Sequence, residues 1–300
     1  MRTTLIAALL CAAGLVCPCV YAQPSGAARN EFLAYRLLAD QGDAKAQYDV
    51  GYCFLHGHGV AANHEEAVKW FRKAADQNDA KSQSILGACY DSGMGVMQDD
   101  AEALKWYRMA PAQNDAKAQN YLGAHYYGGL GVERDYSAAV RWYRKAAEQG
   151  EAEAQINLAD CYSKGQGVER DEKLAVQWFA KAAENGNAEA QARLGFRYHE
   201  GVGVMKDLKE AAKWYRKAAE QGNVGAQFNL AASYVEGHGV EQNYVEAYAW
   251  FTLASSKMMQ AGQYRDTLGI KMSPERLVEG YKRSKELRAQ IEARRKSDGK

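Results

Sequence analysis

The sequence lacks the short motifs that mark most enzymes. It contains no G-x-S-x-G nucleophile turn, no phosphate-binding loop, no H-E-x-x-H metal motif and no paired-carboxylate pattern. Charge of one sign is also missing, because 38 Lys and Arg residues nearly balance 37 Asp and Glu residues. This balance gives little support to nucleic-acid binding. The absences favour a binding scaffold over a catalyst, and they predict no cofactor and no metal site.

Long apolar runs are also scarce. The run Leu5–Val16 is shorter than the stretch of about 20 residues that a membrane span needs. Arg2 precedes it, and the small or apolar residues at Val20-Tyr21-Ala22 suit a signal peptidase. We therefore expect residues 1–22 to be a signal peptide. The product, residues 23–300, would be exported to the periplasm or secreted, without a transmembrane segment.

One pattern fills most of the chain and returns every 36 residues without an insertion. Its copies begin at Asp43, Asp79, Asp115, Glu151, Asn187 and Asn223. In the copy 187–222, apolar residues at spacings of three and four predict a helix that Gly201 and Gly203 end. Asp207, with Glu210 three residues later, predicts the start of a second helix. Each repeat is therefore predicted to be a helical hairpin, and the chain an all-α solenoid.

Every tryptophan of the chain occupies one position of this repeat. The series is Trp70, Trp106, Trp142, Trp178, Trp214 and Trp250. It could form a ligand cage or a buried seam between neighbouring hairpins. Burying about 200 Å² per tryptophan at about 25 cal/mol per Å² contributes on the order of 5 kcal/mol. Short hairpins need such contacts, which favours the seam.

The pattern A-x-x-x-L-G-x-x-Y-x-x-G-x-G-V, followed by D-x-x-x-A-x-x-W-Y-x-K-A-A, resembles the Sel-1-like repeat, a relative of the tetratricopeptide repeat. The resemblance covers residues 43–258. It implies a right-handed superhelix of α-hairpins that serves as an adaptor or scaffold for protein complexes. Secreted and periplasmic members in bacteria are linked to envelope processes and to contact with host proteins.

Cysteine becomes scarce once the signal peptide is removed, because only Cys53, Cys89 and Cys161 remain. They share one repeat position, and stacked helices lie about 9–10 Å apart, whereas a disulfide needs Cα atoms within about 7 Å. The spacing predicts three buried free thiols. The cysteine-rich secreted branch of the family instead carries a cysteine pair in each repeat. Penicillin binding and weak beta-lactamase activity are attributed to that branch.

The flanks of the repeat array are predicted to cap it. Residues 23–42 would form a polar linker over 23–30 and then a half-repeat, with Tyr35 at the place of Phe71. Residues 259–300 would form capping helices and a basic tail, with a helix start at Ser273-Pro274. Inside the array, Pro111 is expected to end or bend the second helix of its repeat early.

Positions of the first helix that vary between copies are expected to face outward and line a binding groove. The candidates are Tyr48, Tyr52, Tyr121, Tyr127, Arg193, Phe196, His199 and Phe228. Exposed aromatics in a groove are typical of protein-binding hot spots, although isolated exposed aromatics are ordinary. The histidines around the hairpin turns, His56, His58, His64 and His238, are read as solvated loop residues.

Three functions remain open at this stage. The first is a non-enzymatic exported adaptor whose groove binds a protein or peptide partner. The second, implied by the resemblance alone, is beta-lactamase or penicillin-binding activity. The third is a structural spacer in a larger envelope complex.

Overall fold

Fifteen α-helices and no strand make up the described part of the computed structural model, residues 26–109 and 115–297. Its contacts divide into two compact units, one up to Gln98 and the other from Asp99 onward. The expected signal peptide and Pro111 lie outside the described residues. Among the described helices, none combines the length and apolar character that crossing a membrane requires.

The first unit contains one complete hairpin between two further helices. In order, its helices are α1 (Gly26–Asp40), α2 (Ala44–His56), α3 (His64–Asp76) and α4 (Ala80–Ser92). Helix α1 packs on α2 as a half-repeat, with Tyr35 against the core that contains Val50 and Trp70. The expected linker over 23–30 is wrong in its described part, because α1 is helical from Gly26. Ala27, Ala28 and Arg29 are strong helix formers.

The second unit continues the repeat and ends in two helices of a different kind. Its helices are α5 (Asp100–Met109), α6 (Ala116–Gly128), α7 (Tyr136–Glu148), α8 (Ala152–Lys164), α9 (Glu172–Glu184), α10 (Ala188–Glu200), α11 (Leu208–Glu220), α12 (Val224–Glu236), α13 (Tyr244–Ala254), α14 (Met259–Ile270) and α15 (Pro274–Ser297). Helices α6 to α13 pair as four hairpins. Helices α14 and α15 both pack on α13, and Arg283 Nε of α15 donates to Glu246 Oε1 at 2.7 Å.

Side chains at the hairpin ends set where the helices begin and stop. Asp207 Oδ1 accepts hydrogen bonds from the backbone N–H groups of Lys209 and Glu210, which confirms the predicted cap of α11. Gly201 ends α10 in the left-handed conformation, with φ +76°. Five of the first helices have Asp or Asn caps, whereas Glu151 before α8 makes no side-chain cap bond.

The second glycine of each turn holds neighbouring repeats together. Gly203 has φ +73°, and a Cβ added there would overlap the backbone carbonyl of Glu172, at the start of the preceding α9. Gly239 meets the carbonyl of Leu208 in the same way. Because the obstructing atoms are backbone, no side-chain movement relieves the overlap. Each turn is therefore seated directly on the hairpin before it.

We expect Gly203→Ala to destabilise the second unit far more than Gly186→Ala. Gly186 also has positive φ, at +87°, but no atom lies within 4 Å of a Cβ there. The control therefore incurs only the left-handed backbone cost of about 1–2 kcal/mol. The overlap at Gly203 should add at least about 2 kcal/mol in urea unfolding followed by circular dichroism. Equal losses of unfolding free energy in the two variants would show that the turn at Gly203 does not contact the preceding hairpin closely.

The deepest aromatic series of the core directly follows the tryptophans. The members Phe71, Tyr107, Tyr143, Phe179, Tyr215 and Phe251 are at most 3 % exposed. Four tryptophans are buried, but Trp142 and Trp178 are only half-buried, so the predicted buried seam is wrong for these two. A lysine three residues on stacks over the ring face, with Lys181 Nζ 3.9 Å from the Trp178 ring centre, and the buried Trp70 and Trp214 have the same contact.

A buried glutamine in each first helix links the helices through hydrogen bonds. Gln191 Nε2 donates to the backbone carbonyl of Ala183 in the preceding repeat at 3.0 Å, and its Oε1 accepts from Gln221 Nε2 at 2.8 Å. The corresponding Oε1 of Gln155 is buried, and no hydrogen-bond partner reaches it among the described residues. The reason is local, because the fourth repeat has Asn185 where the fifth has Gln221. The asparagine side chain is one methylene shorter.

Asn185→Gln should stabilise the second unit, since it supplies the donor that the buried Gln155 oxygen lacks. We expect a gain of about 0.5–1.5 kcal/mol in urea unfolding. The reverse change in the intact pair, Gln221→Asn, should lose a similar amount. A neutral Asn185→Gln combined with a destabilising Gln221→Asn would mean that position 185 cannot reach Gln155.

The three thiols are free and buried, as the sequence predicts. Cys53, Cys89 and Cys161 form no disulfide in the structure. Burial raises the pKa of Cys89 to about 11 and has the same effect on Cys161. These cysteines therefore pack as small apolar groups in first helices.

Candidate functional site

In the first unit, the predicted groove residues form one aromatic cluster on α2. The Tyr48 and Tyr52 rings stack with centres 6.4 Å apart, and Tyr52 also lies 4.2 Å from the His56 ring. Tyr48 reaches inward to Phe71 at 5.9 Å, and burial raises its pKa. Tyr52 is 46 % exposed and is the member of the pair that a partner could contact.

In the second unit, the two tyrosines of α6 are engaged with neighbours. Tyr121 stacks on Tyr107 with ring centres 5.0 Å apart. Tyr127 packs edge-on against Tyr136 at 5.1 Å, and its hydroxyl donates to Gln166 Oε1 at 2.7 Å. Both rings are half-buried. Both tyrosines therefore offer a partner only part of their ring surface, because the rest is packed against neighbouring side chains.

Arg193 and Phe196 of α10 lie together in a cleft of about 590 Å³ that Phe179, Asn223 and Asn229 also line. Phe196 is 50 % exposed. Arg193 is fixed from two sides, because its Nη1 donates to both Asp160 carboxylate oxygens at 2.6 and 2.7 Å. Its Nε donates to Glu189 Oε1 at 2.8 Å. Burial opposes the charged form of Arg193, but these carboxylates outweigh it and raise the pKa.

A second arginine, Arg197, forms the floor of this cleft. It is only 13 % exposed, and its guanidinium lies 5.4 Å from the Phe179 ring centre. Its Nη1 donates to Glu172 Oε2, and its Nη2 donates to Ser163 Oγ at 2.7 Å. Both partners belong to the preceding hairpin. The cleft is therefore rigid before any partner binds.

The last two predicted residues lie apart from the cleft. The Phe228 ring packs edge-on against Phe251 at 5.4 Å and against Tyr264 of α14 at 5.3 Å. The carboxy-terminal cap therefore covers the place where the sequence predicts an exposed aromatic. His199 is half-buried, with its ring centre 6.2 Å from that of His238 on the next turn.

Sequence reasoning missed Arg197, Phe179 and Glu172 as parts of the site. Arg197 stands where the other repeats have Cys, His or Ser, all of them buried and none as large as arginine, so this exchange was a usable clue. Phe179 and Glu172 carried no such clue, because both types recur at ordinary packing and helix-start positions. Within the described ranges, no three His, Cys, Asp or Glu side chains are grouped to hold a metal ion.

Comparisons with known proteins agree with the repeat architecture. The family model for the Sel1 repeat matches residues 44–79, 80–115, 116–151, 152–187, 188–223 and 224–257. The chain is similar to a Sel1 repeat protein from Oxalobacter formigenes, with 38% identity over 71% of this chain and 86% of that chain and a TM-score of 0.66. It is 31% identical to a protective antigen of uropathogenic Escherichia coli strains, covering 90% and 74% of the two chains with a TM-score of 0.40. No curated protein matches the chain. The predicted all-α hairpin solenoid is confirmed.

Glu172→Gln should destabilise the second unit at pH 7 and progressively less as the pH falls. Burial opposes ionisation of Glu172, but hydrogen bonds from Arg170 and Ser163 and the charge of Arg197 lower its pKa. Stabilisation by such a carboxylate is present above its unfolded pKa and is lost as the pH falls through the lowered folded value. We expect a loss of about 1–3 kcal/mol at pH 7 in urea unfolding.

The control is Glu102→Gln, which removes an exposed pair with Lys105 and should change stability by less than about 1 kcal/mol. If the loss from Glu172→Gln were the same at pH 7 and pH 3, the carboxylate charge would not be its cause.

Proposed function

The chain belongs to the Sel1 repeat family, and we propose that it is a non-enzymatic exported adaptor that binds a protein or peptide partner through its first helices. The observation that carries the proposal is the cleft on α10, in which half-exposed Phe196 lies beside an immobilised arginine. An exposed aromatic next to a rigid cation is the composition of an interface hot spot.

The cleft suits a partner that binds as an extended peptide. Arg193 and Arg197 are held by four side chains of the protein itself, so binding does not have to order them. Asn223 and Asn229 line the same cleft. Asn223 already caps α12 through Oδ1 and donates to Glu189 Oε2 from Nδ2, so its second N–H and the amide of Asn229 are the groups that can bond to a partner's backbone. An apolar side chain of the partner would pack on Phe196 while its backbone bonds to these amides.

The chemistry of the cysteines favours an adaptor over an enzyme. The nucleophile in cysteine chemistry is the thiolate, and burial raises the pKa of Cys89 and Cys161 to about 11. These thiols therefore stay protonated near neutral pH. The cysteine pairs of the branch credited with beta-lactamase activity have no counterpart in these repeats.

Export rests on residues 1–22, where a basic start, a short apolar run and a small-residue end have the order of a signal peptide. An exported adaptor would meet its partner in the periplasm or outside the cell. The partners to search are therefore envelope and extracellular proteins.

Phe196→Ala should abolish partner capture without unfolding the protein. The purified protein, Phe196→Ala and Tyr281→Ala are immobilised and exposed to envelope and extracellular proteins, and retained proteins are identified by mass spectrometry. Loss of a hot-spot aromatic typically weakens binding by 2 kcal/mol or more, so we expect retention to fall by more than about tenfold.

Tyr281→Ala is the matched control, because Tyr281 is also an aromatic that is 53 % exposed, but it lies on α15. Circular dichroism checks that both variants keep their helices. A partner that all three baits retain equally would place the binding surface elsewhere. A bait that retains nothing would contradict the adaptor proposal itself.

A further inference from the structure

Beyond the proposed function and independently of it, the structure brings two histidines together on consecutive hairpin turns. His199 lies two residues before Gly201, and His238 lies directly after Gly237. Their ring centres are 6.2 Å apart at an interplanar angle of 54°. Their side chains are 32 % and 43 % exposed, so solvent and dissolved ions reach both.

The register of the solenoid produces this meeting. Two repeats earlier in the chain, the equivalent positions hold Tyr127 and Gln166. Their side chains are joined by a 2.7 Å hydrogen bond. Two unrelated residue pairs thus meet at equivalent positions. The close approach of His199 and His238 follows from the backbone stacking and does not depend on one rotamer choice.

A carboxylate lies close to Nδ1 of each imidazole. His199 Nδ1 is hydrogen-bonded to Glu200 Oε1 at 2.8 Å, whereas His238 Nδ1 lies 2.7 Å from Glu236 Oε2 as an ion-pair contact without hydrogen-bond geometry. A carboxylate can only accept, so Nδ1 of His199 carries the hydrogen and its Nε2 keeps its lone pair. Nδ1 of His238 is buried, which leaves Nε2 as the ring nitrogen that can bind a ligand. A carboxylate behind the imidazole is the arrangement that orients metal-ligating histidines.

The ring separation fits two ligands of one ion. A metal about 2.0–2.1 Å from Nε2 lies about 3.2 Å from the ring centre, so two ligating rings can be at most about 6.4 Å apart. A tetrahedral angle at the metal would place the centres about 5 Å apart. The partly exposed side chains reach that distance by an approach of about 1 Å.

We propose that Nε2 of His199 and Nε2 of His238 bind a single divalent transition metal whose remaining ligands are water. Two imidazoles suit Cu²⁺, Ni²⁺ and Zn²⁺, and the ordinary order of affinities makes Cu²⁺ the tightest of these. Glu200 and Glu236 favour the cation through their negative charge, and Glu200 also orients His199 through its hydrogen bond. For His238 this proposal differs from the sequence prediction of a solvated loop histidine, and for His199 it differs from the prediction of a partner-binding groove residue.

The test is titration of the tag-free full chain with CuCl₂ in a non-coordinating buffer, followed by calorimetry and by electron paramagnetic resonance. We expect one site per chain, with nitrogen couplings from two imidazoles. His199→Gln and His238→Gln should each weaken binding at least about tenfold and leave at most one nitrogen coupling. Their metal-free melting should match the parent, because both positions are at the surface.

His56→Gln/His58→Gln is the control, since these two histidines flank the equivalent turn of the first hairpin and should leave the site unchanged. Tyr127→His/Gln166→His provides a test by gain of function. It places two histidines at equivalent positions and should raise the stoichiometry from one ion to two. Binding that survives loss of His199, or that is lost only in the His56/His58 variant, would overturn the proposal, as would no saturable binding.

Discussion

The structure depends on the contact between each glycine turn and the backbone of the hairpin before it. At Gly203 and Gly239 the approach leaves no space for a Cβ, so the turn can sit in one position only. A residue inserted on either side of the turn would shift the glycine away from the backbone that it contacts. The constant period of 36 residues accords with this contact, and the buried glutamine bonds add further links within and between the repeats.

Three departures from the repeat pattern lie in the fourth repeat, beside the cleft. Glu151 lacks the side-chain cap of the other first helices, and Asn185 leaves a buried glutamine oxygen without a donor. Ala180 replaces the arginine that elsewhere bonds to a tyrosine of the next repeat, as Arg144 does to Tyr162 at 2.6 Å. Arg193 and Arg197 reach back onto this repeat and bind its acidic and polar side chains. Local rules are commonly broken where a protein builds a site, because function and packing then compete for the same positions.

The sequence predicts those features that local chemistry decides. Caps such as Asp207, the left-handed Gly201 and the free thiols follow from residue type and spacing, and the structure confirms them. Exposure of the aromatics does not follow in the same way. Phe228 occupies an outward position of the repeat, yet Tyr264 of the cap covers it, and Tyr121 stacks on a ring of the preceding helix. Such contacts depend on which side chains the neighbouring helices present, and a repeat pattern read one copy at a time does not contain them.

The same register explains how such a scaffold acquires sites without disturbing its core. Stacking brings fixed pairs of surface positions together in successive repeats, so the chemistry at each pair depends only on which residues occupy it. Tyr127 with Gln166 gives a neutral hydrogen bond, and His199 with His238 gives two facing imidazoles. Asp160 with Arg193 gives an ion pair that fixes the cleft wall. Since none of these exchanges touches the turn contact or the buried alanines, surface chemistry can change from repeat to repeat at little cost in stability.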